Sequence, residues 1–168
     1  DGPVHESGQS CIVFGVRGVL SIELRVQEAS QDLHSGNWGG VVPNAIWTLV
    51  HLLGSMKNPQ GQITIDGFYD AVLPKTDLEQ QALDNLPLDL EGIKGDLNLA
   101  QLDQPFDRAF YDRLMFWPTL TINGFHGGYQ GPGSKTVLPC QASVKCDIRL
   151  VEAQTPDDIF AKVVAHVK

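Results

Sequence analysis

The feature that most constrains this chain is a strict two-residue alternation that recurs near both of its ends. Over residues 19–27, Leu20, Ile22, Leu24 and Val26 interleave with Ser21, Glu23, Arg25 and Gln27. Over 143–151, Val144, Cys146, Ile148 and Leu150 interleave with Lys145, Asp147 and Arg149. A shorter run, 119–123, sets Leu120 and Ile122 against Thr121 and Asn123. Period-two patterning gives each strand one apolar and one polar face. Such strands belong to an antiparallel sheet covered on a single side. Two helical stripes supply the cover. Ile46, Leu49, Val50, Leu53 and Met56 recur at helical spacing over 43–56, with Pro43 in the first turn and Asn58-Pro59 as the stop. Ile159, Phe160, Val163, Val164 and Val167 do the same in a final helix opened by Thr155-Pro156-Asp157-Asp158. The order strand, helix, strand, strand, helix predicts an α+β domain of the ferredoxin-like type, with helices on one face of an antiparallel sheet. Its last strand is expected to be missing, because the chain stops where that strand would begin.

Residues 58–118 interrupt this order as a large insertion after the first helix. Thr76-Asp77-Leu78-Glu79 is a capping box and predicts a short helix over 77–85, ending before Pro87. A further helix is expected over 105–116, and an edge strand around Ile63 and Ile65. The 168 residues suit one domain, or one domain with a large insertion. A formal net charge of −8, with 12 scattered basic residues, lacks the clustered Lys and Arg that phosphate contacts require, which sets nucleic-acid binding aside. Cys11, Cys140 and Cys146 form no C-x-x-C pair and no zinc spacing, and so sparse a set fits a reducing, cytoplasmic compartment. There is no apolar run of membrane-spanning length, no signal-peptide pattern and no starting Met. The chain therefore reads as the middle of something longer.

Three segments could carry chemistry. Asp32-Leu33-His34-Ser35-Gly36, followed by Gly39-Gly40, places a histidine on a glycine-flanked loop between the first strand and the first helix. A histidine there suits hydrogen bonding to a developing oxyanion, proton shuttling, or a plain capping role. Asp32 and His34 make a D-x-H pair, a weak metal pattern on its own. His5, His51, His126 and His166 cluster with nothing in sequence. The glycine-rich stretch 124–133, followed by Ser134-Lys135-Thr136, approaches a phosphate loop. It fails the spacing because Ser, not Lys, follows Gly133, and it leads into a strand. A long strand connection and a substrate-facing loop both fit it. Arg149 sits on the polar face of its strand beside Lys145 and Asp147. It suits either a solvated face or a bidentate carboxylate clamp.

Taken together, Asp-Leu-His-Ser-Gly at 32–36, Gly39-Gly40, the run Gly-Pro-Gly-Ser-Lys-Thr-Val-Leu-Pro at 131–139 and Asp-Ile-Arg-Leu-Val at 147–151 resemble the M20 metallopeptidases. The carnosinase-like cytosolic dipeptidases are the most similar branch. The resemblance spans nearly the whole chain, including the insertion. It implies a lid and dimerisation domain (19–168), joined by a hinge segment (1–18) to a catalytic domain outside this chain. It implies a homodimer and a peptide substrate. It also implies that His34 reaches the other subunit's active site to stabilise the tetrahedral intermediate, while Thr136 and Arg149 hold the substrate, Arg149 at its C-terminal carboxylate. Asp1 falls where the family supplies a metal carboxylate in the intact enzyme. The family's H-x-D motif, paired glutamates and late metal histidine are not in this sequence. No metal is therefore expected in this fragment, and two divalent ions, zinc or manganese, are expected in the intact enzyme. The isolated chain is expected to be inactive. Hydrolysis of dipeptides and of related amides both remain open. A stand-alone ferredoxin-like interaction module without catalysis is the competing expectation.

Overall fold

In the computed structural model, residues 8, 10, 12–103 and 109–168 are described. The alternating segments form a three-stranded sheet of β1 (Gly18–Gln27), β3 (Thr119–Gly127) and β5 (Gln141–Leu150), in the order β1-β5-β3. Both pairings are antiparallel; β1 meets β5 from Gly18 opposite Leu150 to Gln27 opposite Gln141. A second, two-stranded sheet joins β2 (Leu33–His34) to β4 (Val137–Leu138). The chain is α+β, as its patterning predicts.

The strand alternation is the burial pattern. Ala142, Val144, Cys146, Ile148 and Leu150 of β5 are all buried, while Gln141, Lys145 and Arg149 are exposed. Two long helices cover the apolar face: α2 (Ala45–Met56) and α5 (Pro156–Val167). Leu49 and Met56 of α2 and Ile159 and Val163 of α5 join Ile22, Leu120, Val144, Cys146 and Ile148 in one core. Area removed from water by such side chains is worth about 1.5–3 kcal/mol each.

Local chemistry moves several expected boundaries. The first long helix starts at Ala45, not Pro43, because Asn44 caps it. The Asn44 Oδ1 accepts from the amides of Ile46 and Trp47 at 2.9 and 3.3 Å. Its buried stripe runs through Ala45 and Leu49 to Met56, with Leu52 and Leu53 half-buried, so Val50 turns out to be exposed. Thr155 caps α5, and Pro156 opens its first turn. There Phe160 and Val167 face outward, leaving Ile159 and Val163 as its buried residues. The second sheet strand continues beyond 123 to Gly127, taking in glycines that the sequence placed in a loop.

Within the insertion, α3 (Asp77–Asp84) opens with the expected capping box between Thr76 and Glu79. A short α4 (Leu90–Asp96), capped by Asp89, was not expected. Part of the expected helix over 105–116 lies outside the described residues; Asp112–Phe116 forms a π-helical turn. Ile63 and Ile65 do not form an edge strand. Thr64 donates to the Met56 carbonyl at 2.9 Å, and Ile63 and Ile65 are buried in the core, tied to α2 by one isolated bridge from Lys57 to Ile63. The insertion is anchored through Phe68, which is 1% exposed. Buried Gln154 donates to the Phe68 carbonyl at 2.7 Å and accepts from the Val151 amide at 3.2 Å. Tyr69 stacks on Trp117 with ring centroids 4.9 Å apart.

Candidate functional site

His34 is fixed by the element that follows it. It is the N-cap of a one-turn helix, α1 (Ser35–Trp38), and its Nδ1 accepts from the Gly36 amide at 3.1 Å. An acceptor at Nδ1 places the proton of the neutral ring on Nε2. Nε2 lies 3.1 Å from Thr136 Oγ1, so the imidazole donates to that hydroxyl. Gly36 is required for this arrangement: a Cβ there would stand 2.9 Å from His34 Cε1. Gly40, with φ of +80°, turns the chain toward α2 in a conformation that favours glycine.

The loops carrying His34 and Thr136 are laced together. His34 pairs with Val137 and Leu33 with Leu138, and the Ser35 amide donates to the Thr136 carbonyl at 3.1 Å. Asp32 completes the lacing: its Oδ1 accepts from the Cys140 amide at 3.0 Å, while the Glu28 amide donates to the Cys140 carbonyl at 2.8 Å. Foremost through that amide, and next through the Cys140 thiol, the Asp32 carboxyl is held below the usual carboxylate range. The hydrogen bond to Asp32, followed by burial, pushes the Cys140 thiol up. In the D-x-H pair, then, Asp32 is a structural tether and His34 a presented imidazole.

Arg149 lies elsewhere. It stands opposite Val19 and Thr119, at the end of the sheet remote from Gln141, about 27 Å away at the rise of an antiparallel strand. His34 and Thr136 adjoin the Gln141 end through Cys140. Hence this chain brings His34 and Thr136 together but does not bring Arg149 to them. Arg149 Nε is ion-paired with Asp147 Oδ2 at 3.4 Å, and Asp147 Oδ1 accepts from Asn123 Nδ2 at 2.8 Å. Arg17 is close by, donating from Nη1 to the Trp117 carbonyl at 3.1 Å. Burial first, then the Arg149 cation, lowers its affinity for a proton.

Three other histidines lie apart from this pair. His166 Nε2 meets Ser55 Oγ at 2.9 Å, His51 packs on Trp47, and His126 lies opposite Ser143 in the sheet. Asp1, His5 and Cys11 lie outside the described residues. Among the described residues no three His, Cys, Asp or Glu side chains gather into a metal-binding group. No helix of the described residues is long and apolar enough to cross a membrane.

The fold is thus an α+β domain, a helix-covered antiparallel sheet with a second small sheet that presents a histidine at a helix N-cap. The peptidase dimerisation domain model of the M20 family matches residues 14–168, and the chain belongs to that family. It is 33% identical over 157 residues to the Beta-Ala-His dipeptidase of Rattus norvegicus, covering 94% of this chain and 32% of that protein. Among solved structures, the M20 metallo-carboxypeptidase Sso-CP2 of Sulfolobus solfataricus superposes with a TM-score of 0.90. It has 32% identity and covers 99% of this chain and 43% of that one. Human carnosine dipeptidase 1 superposes at 0.82 with 33% identity, covering 91% of this chain and 33% of that one. The chain therefore spans about a third of the length of the curated relatives it matches.

Proposed function

We propose that this chain is the dimerisation and substrate-binding lid of a metal-dependent peptidase that hydrolyses dipeptides or related amides. The observation that carries the reading is the His34–Thr136 pair, a histidine whose Nε2–H is aimed and presented on an exposed loop. A donor held in place before the reaction stabilises charge that develops on a carbonyl oxygen. His34 is assigned that role, with Thr136 as its resting acceptor and as a substrate contact. Arg149 is assigned to the substrate's C-terminal carboxylate. The peptides cleaved by dipeptidases and carboxypeptidases end in such a group, and a guanidinium meets it as a fork.

The separation of the two site groups supports dimeric action. One active site can use all three residues if His34 and Thr136 come from one protomer and Arg149 from the other. The homodimer partner, the catalytic domain and the peptide substrate all belong to this reading. So do the hinge segment at 1–18, a lid over 19–168 with its insertion at 58–118, and a ferredoxin-like connectivity suggested by the strand order β1-β5-β3. Two divalent metals, zinc or manganese, would supply Lewis-acid chemistry from ligands in the rest of the intact enzyme, with Asp1 as one contributor. A cytoplasmic location fits the buried, unbridged Cys140 and Cys146.

The test is His34→Ala in the intact enzyme. Loss of an oxyanion donor lowers kcat by about 10²-fold or more. An unchanged kcat removes the assigned role. A native protein of about 18.4 kDa, with no longer chain, would instead favour a stand-alone module without catalysis.

A further inference from the structure

Arg149 has an ion-pair partner within its own strand. That partner is Asp147, two residues earlier on the open face of the sheet. The cross-strand neighbours of Arg149, Val19 and Thr119, carry no charge. Asp147 takes the Nε edge of the guanidinium at 3.4 Å, leaving the two Nη groups as the remaining fork. The Arg149 side chain is 47% exposed and that of Asp147 is 20% exposed, so the fork is accessible while its anchor is largely covered.

Asp147 is in turn held from the neighbouring strand. The pairing of β3 with β5 slips between Ile122, opposite Cys146, and Gly124, opposite Lys145. Asn123 is the extra residue of this bulge. Bulges re-aim a side chain out of the regular ladder. Here the Asn123 amide lies 2.8 Å from Asp147 Oδ1 and donates to it. The carboxylate thus has one oxygen fixed by an amide and the other turned to Arg149. Arg17, itself tied to the Trp117 carbonyl, presents a like charge to Arg149. Asp147 supplies the opposite charge beside Arg149.

We propose that Asn123 and Asp147 are positioning residues that orient Arg149 for end-on capture of a substrate carboxylate. The proposal rests on the assignment of Arg149 to that carboxylate. The two residues touch no substrate. They act by limiting the conformations of the guanidinium before binding, which lowers the ordering cost of capture.

The experiment uses the intact enzyme and a dipeptide with a free C-terminus. Four variants are compared by kcat, KM and thermal midpoint: Asn123→Ala, Asp147→Asn, Arg149→Lys, and Asp147→Asn combined with Arg149→Lys. Arg149→Lys is expected to raise KM by about tenfold, since an ammonium cannot fork. Asn123→Ala and Asp147→Asn are expected to raise KM by about three- to tenfold, with kcat within about twofold of the parent. The double variant is expected to be no worse than Arg149→Lys alone, because residues acting through one partner are non-additive. If Arg149→Lys raises KM while the other two leave it unchanged, or if the effects multiply, the positioning role is overturned and the carboxylate assignment stands. If Arg149→Lys leaves KM unchanged, the carboxylate assignment falls and takes the positioning role with it. Should Asp147→Asn lower the thermal midpoint sharply, Asn123→Ala decides by the same criterion, because it removes one amide from the exposed sheet face.

Discussion

At the scale of the residue, the glycine that follows His34 matters more than its size suggests. Gly36 supplies the amide that fixes Nδ1, and its missing Cβ leaves the space that the imidazole occupies. A methyl group at this position would lie 2.9 Å from Cε1 and 3.1 Å from Nδ1. The obstructing atoms are the end of a side chain, so relief comes from rotation of the ring and the backbone can stay in place. The predicted outcome for Gly36→Ala in the intact enzyme is a kcat lowered by about tenfold or more, because a misplaced donor loses its transition-state contact. Melting temperature is expected to stay within about 2 °C, as for an exposed site away from the core. Steady-state kinetics and a thermal scan decide it. A fall in stability matching the fall in activity would mean that the glycine serves the fold, not the imidazole.

At the scale of the element, β2 and β4 are two residues each and have little cohesion of their own. Asp32, which receives the Cys140 amide, is one of the two ties described above that attach them to the main sheet, beside the Glu28 amide on the Cys140 carbonyl. The carboxyl is held below its ordinary value, so its contribution is complete above the unfolded-state carboxylate range and is lost as pH falls through the lowered folded value. Amide exchange at Cys140 is accordingly expected to quicken, relative to the intrinsic acid-catalysed rate, below about pH 4. In Asp32→Asn, which cannot titrate, that additional dependence disappears. Protection of Cys140 that follows the same pH curve in both proteins would show that the tether is not carried by the carboxylate.

The same pair of short strands marks the limit of what the sequence reveals. Residues 19–27 and 143–151 announce themselves because one face is buried against α2 and α5, and burial enforces the period. Thr76, Thr155 and their partners are equally legible, since a cap is local chemistry. Leu33 and His34 have no such signature: a two-residue strand has no period. Ile63 and Ile65 suggest a strand by residue type, yet they are buried beside α2 by a turn and a single bridge. The bulge at Asn123 is hidden for a related reason, because Thr121, Ile122 and Asn123 continue the alternation and the slip shows only against β5. The motif residues His34, Thr136 and Arg149 are visible in the sequence. Their division into a joined pair and a distant third member is a property of the register, and no local pattern encodes it.

At the scale of the whole molecule, that division fixes what the proposed shared site would require of two copies. His34 and Thr136 are bonded to each other and belong to one end of the sheet, while Arg149 belongs to the other. If each active site takes its histidine and threonine from one protomer and its arginine from the partner, two inactive variants can repair one another. Co-expression of His34→Ala with Arg149→Ala gives mixed dimers in which one site has both residues intact and the other lacks both. Random pairing then restores about a quarter of the wild-type sites, since half of the dimers are mixed and each holds one complete site. His34→Ala mixed with Thr136→Ala provides the control. Both residues come from the same protomer, so every site of the mixed dimer lacks one of them and no repair is expected. Activity measured on purified mixed dimers separates the possibilities. Rescue in the first pairing and its absence in the second support a site shared across the dimer in this sense. Failure of the first pairing would place all three residues at one site within a single protomer, which the distance along β5 opposes. Rescue in both pairings would separate His34 from Thr136 and deprive the hydrogen bond between them of its functional meaning.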